Sequence, residues 1–344
     1  MKLWREAKLW QEAMIGLARS EPVTNLVQGR RMLGGLASRF VGGATADEAL
    51  ETAERLRDRG IASSLFYLGE YVEDPTVIAE TLRQLDAMMT LLVEADLDMH
   101  ISVDPTQLGL LVDEETCATN VRHIAEMVAE RALDGRPRSG RDTVMLDMED
   151  RSVTEFTLQL HDRLRSEGLP VAVTVQSYLH RAGDDIARLA EGGAFVRLVK
   201  GAFAEPPRVA VRSQTQIDSR FRQAVATLFS PASLAAGTYP SFATHDDVII
   251  EEIIHTAGEI GWANDQYEFE MLYGVRPELQ TELVRRGFKV RLYVPFGHDW
   301  FPYAIRRVGE SPRNLRFAIG AVTTSLRSSQ RLVRDRSVRD EHGK

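Results

Sequence analysis

IASSLFYLGE, residues 61–70, is the first β-rich run of this chain, and its ending decides how the rest is read. Ile61, Leu65, Phe66 and Leu68 give it the bulky apolar side chains of a strand, and Gly69-Glu70 closes it. A dinucleotide-binding sheet would carry a GxGxxG turn directly after this first strand, which the single glycine here excludes. Seven further runs follow at Met99–Val103, Thr143–Leu146, Val171–Val175, Ala194–Val199, Ser241–Thr244, Tyr267–Leu272 and Lys289–Val294. Helical stretches separate them, such as Thr154–Ser166 behind a capping box at Ser152–Glu155, and Asp247–Ala257 with Gly258 as its stop. Mostly apolar strands alternating with helices require a parallel sheet covered on both faces. Eight of them predict a closed (β/α)8 barrel of the TIM type.

Upstream, Leu3, Trp4, Ala7, Leu9 and Trp10 fall near helical spacing until Pro22, and a capping box at Thr45–Glu48 opens the next helix, which Arg59-Gly60 ends. The expected organisation is an N-terminal helical arm over 1–44, a barrel over 45–325 and a flexible tail over 326–344. The 344 residues, 44% hydrophobic and 27% charged, have the make-up of a folded globular protein. Forty-two basic against 50 acidic residues leave a net charge of −8, which argues against a nucleic-acid binder. One cysteine, Cys117, excludes an internal disulfide framework. The first residues carry charges every few positions and lack the apolar core of a signal peptide, so a cytoplasmic protein is expected.

In such a barrel the chemistry sits at the C-terminal ends of the strands. Those ends deliver Glu70; Asp104, Thr106 and Gln107; Asp147 and Glu149; Gln176; Arg197, Lys200 and Gly201; Thr244 and His245; Glu268 and Glu270; and Tyr293. A helix expected over 298–311 adds Arg306 and Arg307, with Glu310 three residues on and on the same face as Arg307. Two converging guanidiniums can clamp a carboxylate or phosphate, whereas an exposed basic helix end would look the same in sequence. Asp147 and Glu149 could serve as helix caps or as metal ligands of a barrel lyase. Eight histidines, none in HExxH spacing, make no metal the expectation. The glycine of VKGAF (199–203) lets a backbone approach a ligand closely.

The segments RFVGGATADEAL (39–50), LGE (68–70), TQLGL (106–110), LDMED (146–150), VQSYL (175–179), RLVKGAFAE (197–205), FATHD (242–246), YEFEMLYG (267–274) and RLYVP (291–295), then Arg306, Arg307 and Glu310, resemble the proline dehydrogenases. These flavoenzymes oxidise L-proline to Δ1-pyrroline-5-carboxylate. RLVKGA and the pairing of RLYVP with the double arginine are the distinctive matches. The resemblance implies a distorted barrel with FAD at the strand ends. It places Arg197 beside flavin N5 and assigns Met148, Gln176, Lys200, Gly201, Ala202, Thr244 and His245 to the cofactor. It makes Arg306 and Arg307 the substrate carboxylate clamp, Glu70 an acidic partner of that clamp, and Tyr293 the residue packed on the substrate ring. Asp147 matches an aspartate near flavin and substrate. A quinone acceptor, with transient contact at the inner membrane, also comes with the family.

Two departures stand inside the matched segments. The family's SxKxTQLG has a lysine where this chain has Asp104, and its strand-1 aspartate is replaced by Phe66. A charge reversal at 4 Å changes the interaction with a bound carboxylate by up to about 8 kcal/mol at an effective dielectric of 20. A related cyclic or basic amino acid as substrate, or a flavin-binding homologue without turnover, are the alternatives this raises. Phe203 for tyrosine and Asp246 for asparagine are smaller changes.

Overall fold

The computed structural model describes residues 39–132, 141–300 and 303–304. Eight parallel strands close into a barrel in chain order: β1 (Ala62–Tyr67), β2 (His100–Val103), β3 (Thr143–Leu146), β4 (Val171–Gln176), β5 (Phe195–Val199), β6 (Tyr239–Ala243), β7 (Glu268–Leu272) and β8 (Val290–Phe296). β1 closes on β8 in the register Ala62↔Arg291 to Tyr67↔Phe296. The described helices are α1 (Ala46–Arg57), α2 (Pro75–Glu94), α3 (Glu114–Ala132), α4 (Thr154–Ser166), α5 (Ala182–Glu191), α6 (Gln214–Leu228), α7 (Pro231–Ala236), α8 (Asp247–Ile260) and α9 (Pro277–Arg285), with a short 3-10 turn at Pro105–Leu108. Among the described residues no helix is long and apolar enough to cross a membrane.

All eight runs read from the sequence become strands, because period-two alternation sorts their side chains to two faces. Leu65, Ile101, Val144, Val173, Leu198, Phe242, Phe269 and Leu292 are fully buried in one core that includes Met88, Val121, Leu164, Ile186, Phe221 and Leu283 from the helices. Each such side chain contributes about 1.5–3 kcal/mol on burial. The intervening positions, Ser64, Ser102, Thr174, Arg197, Ser241 and Glu270, meet one another inside the barrel. A polar interior replaces the Val, Ile and Leu layers usual for this architecture.

Helix boundaries depart from expectation twice. α4 spans the expected residues, but Ser152 does not cap it: Ser152 N–H donates to Asp150 Oδ1 at 2.8 Å, and Glu155 is drawn instead to Arg181 at 2.7 Å. α8 runs through Gly258 to Ile260, and Gly261 (φ +81°) provides the left-handed cap. The extra turn lets Trp262 N–H bond Ala257 O at 2.9 Å and its indole N–H reach Phe229 O at 3.1 Å. At Thr45 the cap forms as read, accepting from Glu48 N–H at 3.3 Å. Gly42 and Gly43, inside the expected arm, lie against β8: Gly42 N–H donates to Pro295 O at 2.7 Å, and a Cβ there would meet Val294 at 2.4 Å. Residues 1–38 of the arm, the tail over 326–344, and Arg306, Arg307 and Glu310 lie outside the described residues.

Candidate active site

Arg197 on β5 is the hub of the barrel interior. Its guanidinium is 4% exposed and touches side chains from five other elements of the wall. Nε and Nη2 donate to the two oxygens of Glu270 on β7, each at 2.7 Å. Nη2 also reaches Ser64 on β1 (3.1 Å) and Ser102 on β2 (2.9 Å), and those hydroxyls bond each other at 2.8 Å. Nη1 donates to Asp147 Oδ1 past the end of β3 and approaches Thr174 on β4 at 3.5 Å. Ser241 on β6 completes the ring by donating to Glu270 at 3.1 Å. Burial opposes the cation, but the charges of Glu270 and Asp147 outweigh it and hold the Arg197 pKa above its ordinary value.

Asp147 turns its second oxygen to Tyr293, whose hydroxyl donates at 2.9 Å, and Thr174 donates to the first at 3.0 Å. The Tyr293 ring stacks on Phe66, with centroids 5.4 Å apart at 30°, and lies 5.4 Å from the Arg197 carbon. Burial, then the charges of Asp147 and Asp104, push the Tyr293 pKa well up, so the hydroxyl stays a donor. Asp104 is 9% exposed at the end of β2 and acts electrostatically on both Tyr293 and Tyr71, which places its charge on the strand-end side. Phe66, the other departure read from the sequence, is one half of an aromatic pair.

Glu149 is a second buried carboxylate here. It accepts from Thr106 N–H at 3.0 Å and Thr106 Oγ at 2.6 Å, and burial raises its pKa to about 7 despite those bonds. Glu70, on the exposed loop after β1, adds repulsion that raises it further. Thr106 also receives the N–H groups of Tyr71 and Val72, so one threonine ties together the exits of β1, β2 and β3. Asp147 and Glu149 thus face different partners. Among the described residues no group of three or more His, Cys, Asp or Glu side chains could hold a metal ion.

The residues assigned to a cofactor by resemblance sit on the exits of β3 to β6. Met148 is buried. Gln176 braces two exits, donating to Glu149 O at 2.8 Å and accepting from Ala202 N–H at 3.3 Å. Gly201 (φ +118°) leaves room for a neighbour within the protein, since a Cβ there would fall 2.3 Å from the Tyr178 ring. Lys200 Nζ is held by Asp218 at 2.7 Å and Asp246 at 3.0 Å. Thr244 Oγ accepts from Asp246 N–H at 3.2 Å, and His245 Nε2 accepts from Leu272 N–H at 2.9 Å, tying β6 to β7. The sequence offers Glu270 only as a strand-end acid with no role, and it does not single out the hydroxyls of Ser64, Ser102, Thr174 and Ser241. Their signal was one small or acidic residue at the same inward position of otherwise apolar strands.

Residues 49–318 match the family described as proline dehydrogenase. Proline dehydrogenase 1 of Bacillus subtilis (strain 168) is 33% identical over 286 residues, covering 83% of this chain and 90% of that protein. The proline dehydrogenase of Deinococcus radiodurans is 32% identical over 317 residues, covering 91% and 97%. Among solved structures, proline utilization A (PutA) from Bdellovibrio bacteriovorus inactivated by N-propargylglycine superposes with a TM-score of 0.71 at 20% identity, over 84% of this chain and 35% of that longer one, a likeness of fold. With the match spanning most of the sequence, the chain belongs to the proline dehydrogenase family, oxidoreductases acting on the CH–NH group of donors.

Proposed function

We propose that this chain catalyses the FAD-dependent oxidation of L-proline to Δ1-pyrroline-5-carboxylate in proline catabolism, in the cytoplasm and with transient contact at a membrane where a quinone takes the electrons. The observation that carries the reading is Arg197, a buried permanent cation whose Nη1 edge lies beside Asp147 at the catalytic end of the barrel. The residues there fit a flavin in their chemistry. Among the described residues the second N–H of Nη1 meets Thr174 alone, at 3.5 Å, too long to satisfy it. FAD held there would supply the two-electron acceptor for oxidation of the proline ring.

The protein's own groups then have separable tasks. Arg197 presents positive charge where negative charge develops, inside a dry wall that strengthens the interaction. Asp147 fixes the Tyr293 hydroxyl, and Phe66 fixes the face of its ring, so Tyr293 offers a flat wall to a small ring substrate. Met148, Gln176, Lys200, Gly201, Ala202, Thr244 and His245 would hold the cofactor, and Arg306 and Arg307, with Glu70 and Glu310 beside them, would clamp the carboxylate. Oxidising a protonated amine releases a proton, and Glu149, whose pKa burial raises to about 7, is one described group at this rim able to exchange one at physiological pH.

A second reading follows from Asp104, whose charge acts on Tyr293. A substrate with an added cationic or hydrogen-bond-donating group would meet an acceptor where the family's lysine repels it. The deciding experiment adds L-proline anaerobically to the purified yellow protein and follows the flavin's visible band. Rapid bleaching supports proline as substrate. A band unmoved by proline but bleached by a basic or hydroxylated cyclic amino acid favours the second reading, and a band unmoved by any of them favours a flavin-binding homologue without turnover.

A further inference from the structure

Arg197 bears one positive charge and two carboxylates, and the two are not equivalent. Glu270, 2% exposed, grips Nε and Nη2 with both oxygens at 2.7 Å and takes a third hydrogen bond from Ser241. Asp147, 14% exposed, touches Nη1 alone and shares its oxygens with Thr174 and Tyr293. A guanidinium has five N–H donors in a rigid fork. Nε spends its one on Glu270, and Nη2 its two on Glu270 and the Ser64–Ser102 pair. Nη1 gives one to Asp147, and among the described residues its second faces the distant Thr174 hydroxyl alone. The deep carboxylate therefore fixes the plane of the fork, and the shallow one meets the edge left over.

We propose that Glu270 is a positioning residue that sets how much positive charge Arg197 presents to the flavin, and through it the flavin's redox potential; this rests on the reading that a flavin lies against Arg197. A cation beside a flavin favours the anionic reduced form. A fixed counter-ion that grips that cation by two nitrogens, deeper in the barrel, cancels part of its field, and in a buried site the cancellation is little screened by solvent. Glu270 has this geometry; Asp147, shallower and shared with Tyr293, does not hold the fork by two nitrogens. The polar layer beneath the site thus acts as a tuning element as well as a scaffold.

The test uses the flavin-loaded protein and two variants, Glu270→Gln, which removes the charge but keeps one acceptor oxygen, and Glu270→Asp, which keeps the charge at greater distance. Sulfite, an anion that adds to flavin N5 and bleaches it, is titrated against each, and the midpoint potential is measured alongside. The expected order of sulfite affinity is Gln tightest, Asp intermediate, wild type weakest. The Gln variant should bind sulfite at least about tenfold tighter, and a tenfold change in the two-electron equilibrium corresponds to a rise of about 30 mV. Should the Gln variant not fold, the Asp variant decides: tighter sulfite binding supports the proposal, and equal or weaker binding overturns it. Wild-type values in both variants, or the reverse order, overturn it. Protein that remains colourless after incubation with FAD overturns the flavin reading and this proposal with it, whereas yellow protein with unmoved values overturns the proposal alone.

Discussion

Two buried arginines stand inside this barrel, and they are built differently. Arg197, towards the catalytic end, is ringed by side chains: two carboxylates and the hydroxyls of Ser64, Ser102 and Thr174. Arg291, at the start of β8, is closed by Glu268 at 2.9 Å, Asp98 at 2.9 Å and the backbone oxygen of Ser63 at 2.7 Å. All three charged side chains of the lower cluster, Arg291, Glu268 and Asp98, are sealed, whereas Asp147 in the upper one is 14% exposed. His100 lies between the layers, fully buried, and burial with the charges of Arg291 and Arg197 keeps it neutral by pushing its pKa well down. Neither of its ring nitrogens has a hydrogen-bond partner among the described residues. The comparison teaches that one ion set can be built closed at the stability end of a (β/α)8 barrel and more accessible at the end where such barrels carry their chemistry, the placement on which the proposed role of Arg197 rests.

The lower cluster should give the largest effect when broken. Arg291→Met leaves Glu268 and Asp98 buried without their cation and is expected to lower the unfolding free energy by about 3–5 kcal/mol in urea denaturation. The protein that remains folded should keep wild-type kcat/KM on proline. Next comes Arg197→Lys, which preserves the charge but loses the fork. Its kcat/KM should fall by about 10²–10³-fold, as for removal of a preorganised donor. Equal losses of activity in the two variants would break the distinction between the layers.

The barrel was legible in the sequence because eight strands carry one apolar face each, and turn residues punctuate them. The network was less so. Arg197 and Asp147 stood out as charged residues at strand ends, but Glu270 sits in a strand five residues long and reads from sequence like any strand-end acid. Its bond to Arg197, 73 residues away, exists only once the barrel closes. Local signals failed where tertiary partners outbid them: Ser152 lost its capping role when Glu155 found Arg181, and Gly258 was carried through when Trp262 found the carbonyl of Phe229. His245 and Gly201, which the sequence points towards a ligand, also have partners within the protein that no local signal shows: His245 accepts from Leu272 N–H, and Gly201 packs against Tyr178.

Glu149 sharpens the comparison as a buried carboxylate held by Thr106 instead of a guanidinium. Its pKa rises from 4.5 to about 7, so between those values the folded state binds a proton that the unfolded state has released. Stability from this group is therefore fully present below about pH 4.5 and is lost as pH climbs through about 7, by up to about 3 kcal/mol. Glu149→Gln removes the titration, and its amide can still serve Thr106 if the hydroxyl turns to accept. The variant should gain stability over wild type at pH 8, with the gap closing towards pH 4.5. A gap independent of pH would mean that Glu149 does not titrate in this range and sits in the same charged state as the two arginine clusters.

The smallest change probes how over-supplied the upper layer is. Ser64→Ala deletes one hydroxyl that bonds both Ser102 and Arg197. Nη2 still has Glu270 at 2.7 Å and Ser102 at 2.9 Å, one acceptor for each of its two N–H groups, so no donor of the guanidinium is orphaned. The cost should be near the net worth of a single hydrogen bond, about 1 kcal/mol in chemical denaturation, with the sulfite affinity of the flavin unchanged. The lower cluster admits no matching experiment, because its neutral acceptor is the carbonyl of Ser63, which no side-chain substitution removes. A loss of several kcal/mol from Ser64→Ala would mean that the hydroxyls hold Arg197 as tightly as that carbonyl holds Arg291. The upper layer would then be as rigid as the lower, and its open Nη1 edge would be the whole of the difference between them.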